Sequence, residues 1–275
     1  MFKLFGTISI VILFFLICFM PWAKFSDVEG MNLSLGLSAP SYDHLLGTDE
    51  LGRDMLLRFS SAYRDCILPL WFFVGTAFLV GSGLSFVSII SSQRWVRWIG
   101  KMVGGSAFLF ALIPLGVTVF SFSVYFQKNG LWAVIYSIFV VVFAKSYINI
   151  QQLYQRDYRQ LYWDAHQAIG GSLISRVWRY GICQQWSRQL VYELIFYLKV
   201  SVIAEVSVSY LGFGTQEPNA SIGNILASHF SESLRGPTHV VVVTWLALLL
   251  AVSVPDLIRS ILDKTLENRT LLKVD

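Results

Sequence analysis

The sequence predicts an all-α integral membrane protein with six transmembrane helices and one long cytoplasmic loop. Three observations lead there. Only 14% of its 275 residues are charged, against about 25% in average soluble domains. At 55% hydrophobic, the chain holds more apolar sequence than a water-soluble fold of this size can cover with polar surface. The apolar residues also gather into runs of about 20, the length that crosses a bilayer as helix. None of these runs alternates as barrel strands do. Backbone groups in hydrocarbon must pair within their own segment, so the runs read as helices.

The first run extends from Leu4 to Trp22. Lys3 precedes it as in a signal peptide. The run is nevertheless long and aromatic, and it ends at Pro21-Trp22 without a small-residue cleavage site, so it reads as an uncleaved helix. The second runs from Ile67 to Ile90, the third from Gly105 to Phe126 and the fourth from Leu131 to Tyr147. Only Gln127 to Gly130 separate the third from the fourth, which predicts a tight helical hairpin. The fifth covers Leu190 to Phe213 and the sixth Val240 to Ile258. The organisation is then a first helix at 1–23, an extracytoplasmic loop at 24–66, a five-helix core at 67–258 that contains a cytoplasmic loop at 149–189, and a cytoplasmic tail at 259–275.

Orientation follows from the basic residues. Lys3, Arg94, Arg97, Lys101, Arg156, Arg159, Arg176, Arg179, Arg188, Arg259, Lys264, Arg269 and Lys273 fall on one side. Lys24, Arg53, Arg58, Arg64, Lys128 and Arg235 are spread over longer, more acidic connections on the other. The denser set marks the cytoplasmic side and places both termini there. The net charge of +4 therefore reads as a topology signal and not as a nucleic-acid surface. Gly81 with Ser85, and Gly100 with Gly104, have the four-residue spacing that lets membrane helices approach closely.

Signs of catalysis are missing from the sequence. It has no GxxxxGK[ST] phosphate loop and no HExxH, and Gly212-x-Gly214 lacks a dinucleotide context. Cys18, Cys66 and Cys183 have no metal-ligand spacing, and His44, His166, His229 and His239 stand in separate connections. The chain is expected to have no catalytic residues, no metal site and no cofactor of its own.

Two connections carry the specific signal. In the outer one, Gly47 permits a tight turn, Thr48 or Asp49 can cap the helix that follows, and Arg53 can pair locally with Asp54. In the inner one, about forty residues join the fourth and fifth runs, long for a connector in a compact bundle. Tyr162 to Gly171 reads as a short helix with Ala165 and Ala168 at helical spacing, ended by Gly170-Gly171. Ser172 can cap a second helix with Ile174, Val177 and Trp178 on one face. Such a unit either lies on headgroups or docks in a partner's groove. Glu205 lies inside the fifth run. An ionisable group at that depth faces protein or a water-filled path, so it reads either as a pathway-lining or gating carboxylate or as a structural partner for a neighbouring helix. Lys199 can snorkel to the headgroups.

Together these segments resemble the permease subunits of ATP-binding-cassette importers of the dipeptide, oligopeptide and nickel type, over nearly the whole chain. The family's outer Gly-Thr-Asp-x-x-Gly-Arg-Asp motif is matched by Gly47, Thr48, Asp49, Gly52, Arg53 and Asp54. This match is similar to the second of its two paired permeases. Its docking loop, Glu-Ala-Ala-x-x-x-Gly, is matched in part by Asp164, Ala165, His166 and Gly170, with Asp for Glu and His for the second Ala. Gly181-Ile182-Cys183 stands where the family has Ile-Leu-Pro. Ala204 to Gly214, including Glu205 and Ser209, resembles a further stretch, with Pro218, Ser221, Gly223 and Asn224 at its later landmarks. Asp256, Arg259, Leu262 and Asp263 match a closing pattern.

The resemblance implies a non-catalytic permease in the bacterial inner membrane. Its coupling helix would be formed by Tyr162, Asp164, Ala165, His166, Ala168, Ile169, Gly170 and Gly171. Glu205 and Ser209 become pathway or gating candidates, and no substrate-binding residue is assigned. The implied partners are a second permease, two cytoplasmic ATPases that bind ATP and Mg, an extracytoplasmic solute-binding protein and membrane lipid, with no nucleic acid. Short peptides are the expected cargo, nickel or a metal chelate the alternative. A stand-alone secondary transporter is a more distant reading and would need internal repeats.

Overall fold

A computed structural model describes residues 10–12, 14, 16–18, 31–126, 130–158, 160–178, 186–230 and 238–271, with side chains at 162, 163, 167, 176, 229, 230, 238 and 264–271 left aside. Lys3, Pro21, Trp22, Lys24, Gln127, Lys128, Arg159, Arg179, Gly181, Ile182, Cys183, Arg235 and Lys273 lie outside the described residues, as do the side chains of Tyr162, Arg176, His229, Lys264 and Arg269. The described chain is helical. Its principal helices are α1 (Met55–Ala62), α2 (Leu68–Ile90), α3 (Arg94–Leu112), α4 (Leu115–Tyr125), α5 (Leu131–Tyr158), α6 (Leu161–Ala168), α7 (Leu173–Arg176), α8 (Ser187–Tyr210), α9 (Ile222–Phe230) and α10 (Thr238–Leu271). Three stretches are long and apolar enough to cross a membrane: Met55–Ile90, Leu131–Tyr158 and His239–Asp263. The α3–α4 pair makes a fourth if its bent halves form one span.

Several expectations change. The second span begins earlier than Ile67, because α1 joins α2 through a widened π turn at Tyr63–Ile67, where Leu68 N–H donates to Tyr63 O. Pro69 follows directly; it lacks an N–H and its ring crowds the carbonyl four residues back, and the widened turn accommodates both effects. The third run is not one straight helix. It starts at Arg94 and breaks at Ile113-Pro114, and the two halves bend by 91°. Ile113 is extended, as the residue before proline is driven to be. The fifth run is helical within α8, but that helix carries Arg188, Glu193, Lys199 and Glu205 and is not among the stretches that pass as spans by length and composition. At 1.5 Å per residue, α5 is about 42 Å long and exceeds a hydrocarbon core of about 30 Å, so its polar end projects beyond it.

The chain divides into two compact units. The first comprises the described residues of 1–71, 119–134 and 198–275. Its core joins Phe14, Met55, Phe59, Tyr63 and Ile67 to Val202, Val206, Ile222, Ile225, Ala251 and Val254. The buried Tyr63 hydroxyl donates to Ala247 O at 2.6 Å, and Phe14 packs on Tyr63 with ring centroids 5.0 Å apart. Helical residues from the first apolar run thus contribute to this core.

The second unit comprises 72–118 and the described residues of 135–197. Close approach here depends on small residues, as their spacing predicts. A Cβ on Gly81 would stand 2.6 Å from Phe143 O, and one on Gly100 would stand 2.5 Å from Ser88 Cβ. Tyr147 hydroxyl donates to Gly100 O at 2.7 Å, fixing α5 to α3. A second cluster buries Val177 and Trp186 with Ile150 and Leu153, and Trp186 Nε1 donates to Asp157.

Candidate functional site

The turn at 47–54 brings all six outer-motif residues together. Gly47 (φ +77) and Gly52 (φ +72) adopt the left-handed conformation that glycine tolerates best. Space excludes a side chain as well, since a Cβ on Gly52 would lie 1.9 Å from Asn32 O. Thr48 Oγ1 accepts from Ser38 N at 2.9 Å and donates to Leu35 O at 2.5 Å, tying the preceding loop to the turn. The helix cap is neither Thr48 nor Asp49. Asp54 caps α1, accepting from Leu56 N at 2.8 Å and Leu57 N at 3.2 Å, while its other oxygen lies 2.9 Å from His44 Nδ1.

Asp49 is instead the centre of a buried ionic brace. Its carboxylate accepts from Leu51 N (3.0 Å), Arg53 N (2.8 Å), Arg53 Nε (2.7 Å) and Arg58 Nη1 (2.7 Å). Arg53 therefore pairs with Asp49 and not with Asp54, whose oxygens are committed to the cap and to His44. Both guanidinium groups continue to Glu217 in the loop after α8, at 3.1 Å from Arg53 Nη2 and 3.0 Å from Arg58 Nη2. Burial alone would raise the pKa of Asp49, but hydrogen bonds from Arg53 and the charges of Arg58 and Arg53 outweigh it and hold the carboxyl below its ordinary range. Glu217 is likewise lowered, against a smaller degree of burial, by hydrogen bonds and charge from the two arginines. The sequence reading missed Arg58, Glu217 and His44 as members of this group.

Glu217 also borders a polar cavity of about 440 Å³, with Asp65, Cys66, Thr215, Gln216 and Asn219 among its walls. Behind Thr215 lie Glu205 and Ser209, the two pathway or gating candidates. Glu205 is fully buried. It accepts from Ser209 Oγ at 2.7 Å, and Ser209 Oγ in turn accepts from Thr215 N at 3.1 Å. Glu205 Oε2 has no hydrogen-bond partner among the described residues. Packing is tight here, since a Cβ on Gly214 would stand 2.2 Å from Ser209 Oγ and one on Gly223 2.4 Å from Val206 O. The arrangement joins a fully buried carboxylate to the cavity wall through one hydroxyl and one backbone amide. Among the described residues no group of three His, Cys, Asp or Glu side chains could hold a metal. Lys199 does not stand alone: its ammonium group contacts both oxygens of Asp256 at 3.0 Å.

The inner connection folds as two short helices about a glycine turn. α6 ends at Ala168, Gly170 has φ +80, and Ser172 caps α7 by accepting from Ser175 N at 3.2 Å. Asp164, Ala165, Ala168, Ile169 and Gly170 are exposed and Gly171 is half-buried. His166 turns inward, its Nε2 lying 3.1 Å from Ser175 Oγ, so it joins the two helices. Gly171 makes room for that ring, because a Cβ there would sit 2.1 Å from it. The single apolar face expected on the second helix is split: Val177 is buried, whereas Ile174 and Trp178 are 61% and 62% exposed. With Leu161 (86%) and Ile169 (79%), these leave a set of large apolar side chains bare on a segment pinned through Val177. Sequence reading also passed over Lys145 within α5, half-buried and without a carboxylate partner among the described residues.

Curated relatives give this geometry a context. The chain resembles the permeases of peptide transport systems. It is 24% identical over 233 residues to the probable D,D-dipeptide transport system permease protein DdpC of Escherichia coli K12, covering 81% of this chain and 73% of that one. It is 27% identical over 226 residues to the oligopeptide transport system permease protein OppC of Bacillus subtilis 168, covering 80% and 70%. A putative peptide permease of Brucella suis is 24% identical over 230 residues, covering 81% and 72%. No family model matches the chain. These permease relatives and the apolar helices indicate a multi-pass membrane protein that is similar to peptide permeases.

Proposed function

We propose that this chain is a non-catalytic permease subunit of an ATP-binding-cassette importer for short peptides. It pairs with a second permease and is driven by two cytoplasmic ATPases. The observation that carries the coupling role is the 161–178 segment, which is pinned at Val177 yet leaves Leu161, Ile169, Ile174 and Trp178 bare. Exposed apolar groups gathered on a short rigid unit are the chemistry of a helix docked in a partner's groove. Peptide is preferred to nickel as cargo because the relatives are named for dipeptide and oligopeptide transport. An extracytoplasmic binding protein would deliver the peptide to the side that bears the Asp49 brace. Glu205 and Ser209 would then form part of the gate behind the adjoining cavity. ATP and Mg belong to the partner ATPases.

The test is affinity purification of the chain from native membranes in mild detergent, with mass spectrometry of the bound subunits and an ATPase assay. A second permease and ATPase subunits are expected. Ile169→Asp should reduce the ATPase yield at least several-fold while leaving the second permease bound. Isolation of the chain without any ATPase, or an unchanged yield with Ile169→Asp, would remove the coupling role.

A further inference from the structure

A second cavity, of about 560 Å³, lies within the 72–118 and 135–197 unit, well apart in sequence from the residues of the gate. One wall is a stripe of α3. Arg97, Lys101, Gly104 and Phe108 follow at spacings of four, three and four, which place them on one helix face. The facing wall is the polar end of α5, with Gln151, Gln155 and Ile148. The lining contains two cations and no carboxylate. Neither Arg97 nor Lys101 has an acidic partner among the described residues, in contrast to Arg53, Arg58 and Lys199.

Depth in the bilayer is marked by the same helix. Trp95 and Trp98, each 63% exposed, stand beside Arg97 at the start of α3. Exposed tryptophan next to arginine and lysine is the signature of the headgroup layer. From there the stripe turns apolar: Phe108 is 55% exposed and Leu112 63%. The cavity thus has a basic, hydrogen-bonding mouth at headgroup level and an apolar floor running toward the hydrocarbon. Basic pockets between membrane helices are suited to anionic lipid headgroups, and the volume falls in the range of small-ligand sites.

We propose that this cavity binds one anionic phospholipid, its phosphate held by Arg97 and Lys101 and an acyl chain laid along Phe108. Gln151 and Gln155 would face the glycerol and ester oxygens. A free phosphate offers the same anion but leaves the apolar floor unused.

The experiment uses the full chain with its co-purifying subunits, in nanodiscs of phosphatidylcholine doped with phosphatidylglycerol. Retained lipid is counted by native mass spectrometry. Phosphatidylglycerol should be retained over phosphatidylcholine, and Arg97→Gln with Lys101→Gln should weaken that preference by about 25-fold, each cation contributing about fivefold. Arg97→Lys should keep most of it. Gly104→Trp retains both charges and fills the cavity, since the one atom within 4 Å of its Cβ position is Tyr147 Cε1 at 3.4 Å; it should abolish retention even if the charge variant inserts poorly. Equal retention of the two lipids, or retention unchanged by Gly104→Trp, would overturn the proposal. Release of the lipid by millimolar inorganic phosphate would overturn it too, and would assign the cations to a soluble anion.

Discussion

Asp49 accepts four hydrogen bonds, two of them from guanidinium groups, while 1% exposed. Removing it leaves two buried cations with only the half-exposed Glu217 as a carboxylate partner. Breaking a buried ion pair on one side costs about 3–5 kcal/mol, so Asp49→Ala should sharply lower the melting temperature of the purified protein. Glu217→Gln should cost far less, because Glu217 is 44% exposed and water screens it. Both carboxyls have lowered values in the fold, so their stabilisation is fully present above their ordinary values of 3.8 and 4.5 and is lost as pH falls below these. Thermal melts from pH 7 to pH 3 should show this loss in the native protein and a much smaller one in Asp49→Ala. The six motif residues were legible in the sequence because their types and spacing recur together. Their actual bonds were not, since the partner that completes the brace lies 164 residues from Arg53. Local spacing also suggested Arg53–Asp54, and only the fold shows that Asp54 is already held by the cap.

At the scale of elements, apolar runs located the bodies of α2, α5 and α10, although Pro69 and Pro255 fall within two of them and α5 continues past Tyr147 to Tyr158. The third run failed as a single rod because Pro114 forces Ile113 out of the helical region. The paired helices α6 and α7 were readable from Gly170 and Ser172, but the inward turn of His166 was not. Its contact with Ser175 depends on an absent side chain at Gly171. Gly171→Ala should therefore displace His166 and loosen the segment, measurable as faster hydrogen exchange in 161–176 with little change elsewhere. Gly170→Ala leaves that contact intact and meets no atom within 4 Å. Its cost is the left-handed backbone alone, about 1–2 kcal/mol.

For the whole molecule, the number of crossings between the 47–54 turn and the 161–178 segment is the deciding quantity. If the α3–α4 pair crosses, three spans separate them and they face opposite sides; if the pair re-enters, two spans do and they face the same side. Single cysteines at Leu45 (56% exposed) and Ile169 (79% exposed), in a background without Cys18, Cys66 and Cys183, would be labelled with an impermeant maleimide. Basic-residue placement predicts labelling from opposite sides. Labelling of both from one side would make the pair a re-entrant loop and remove the docking segment from the cytoplasm. The sequence carried the topology signal in Arg94, Arg97 and Lys101, whereas the bend that complicates it is a property of the folded chain.

That bend has a consequence for biosynthesis. The uncharged part of α3, from Met102 to Leu112, and the whole of α4 contain 11 residues each, about 16 Å of helix. Neither half alone matches a hydrocarbon core of about 30 Å. A translocon sampling the emerging chain segment by segment meets two fragments that each fall short of a stable stop, so it must hold the first until the second arrives, or release both for insertion against α5. The bent α3–α4 pair is thus the place where synthesis of this protein depends on the order in which its helices are made.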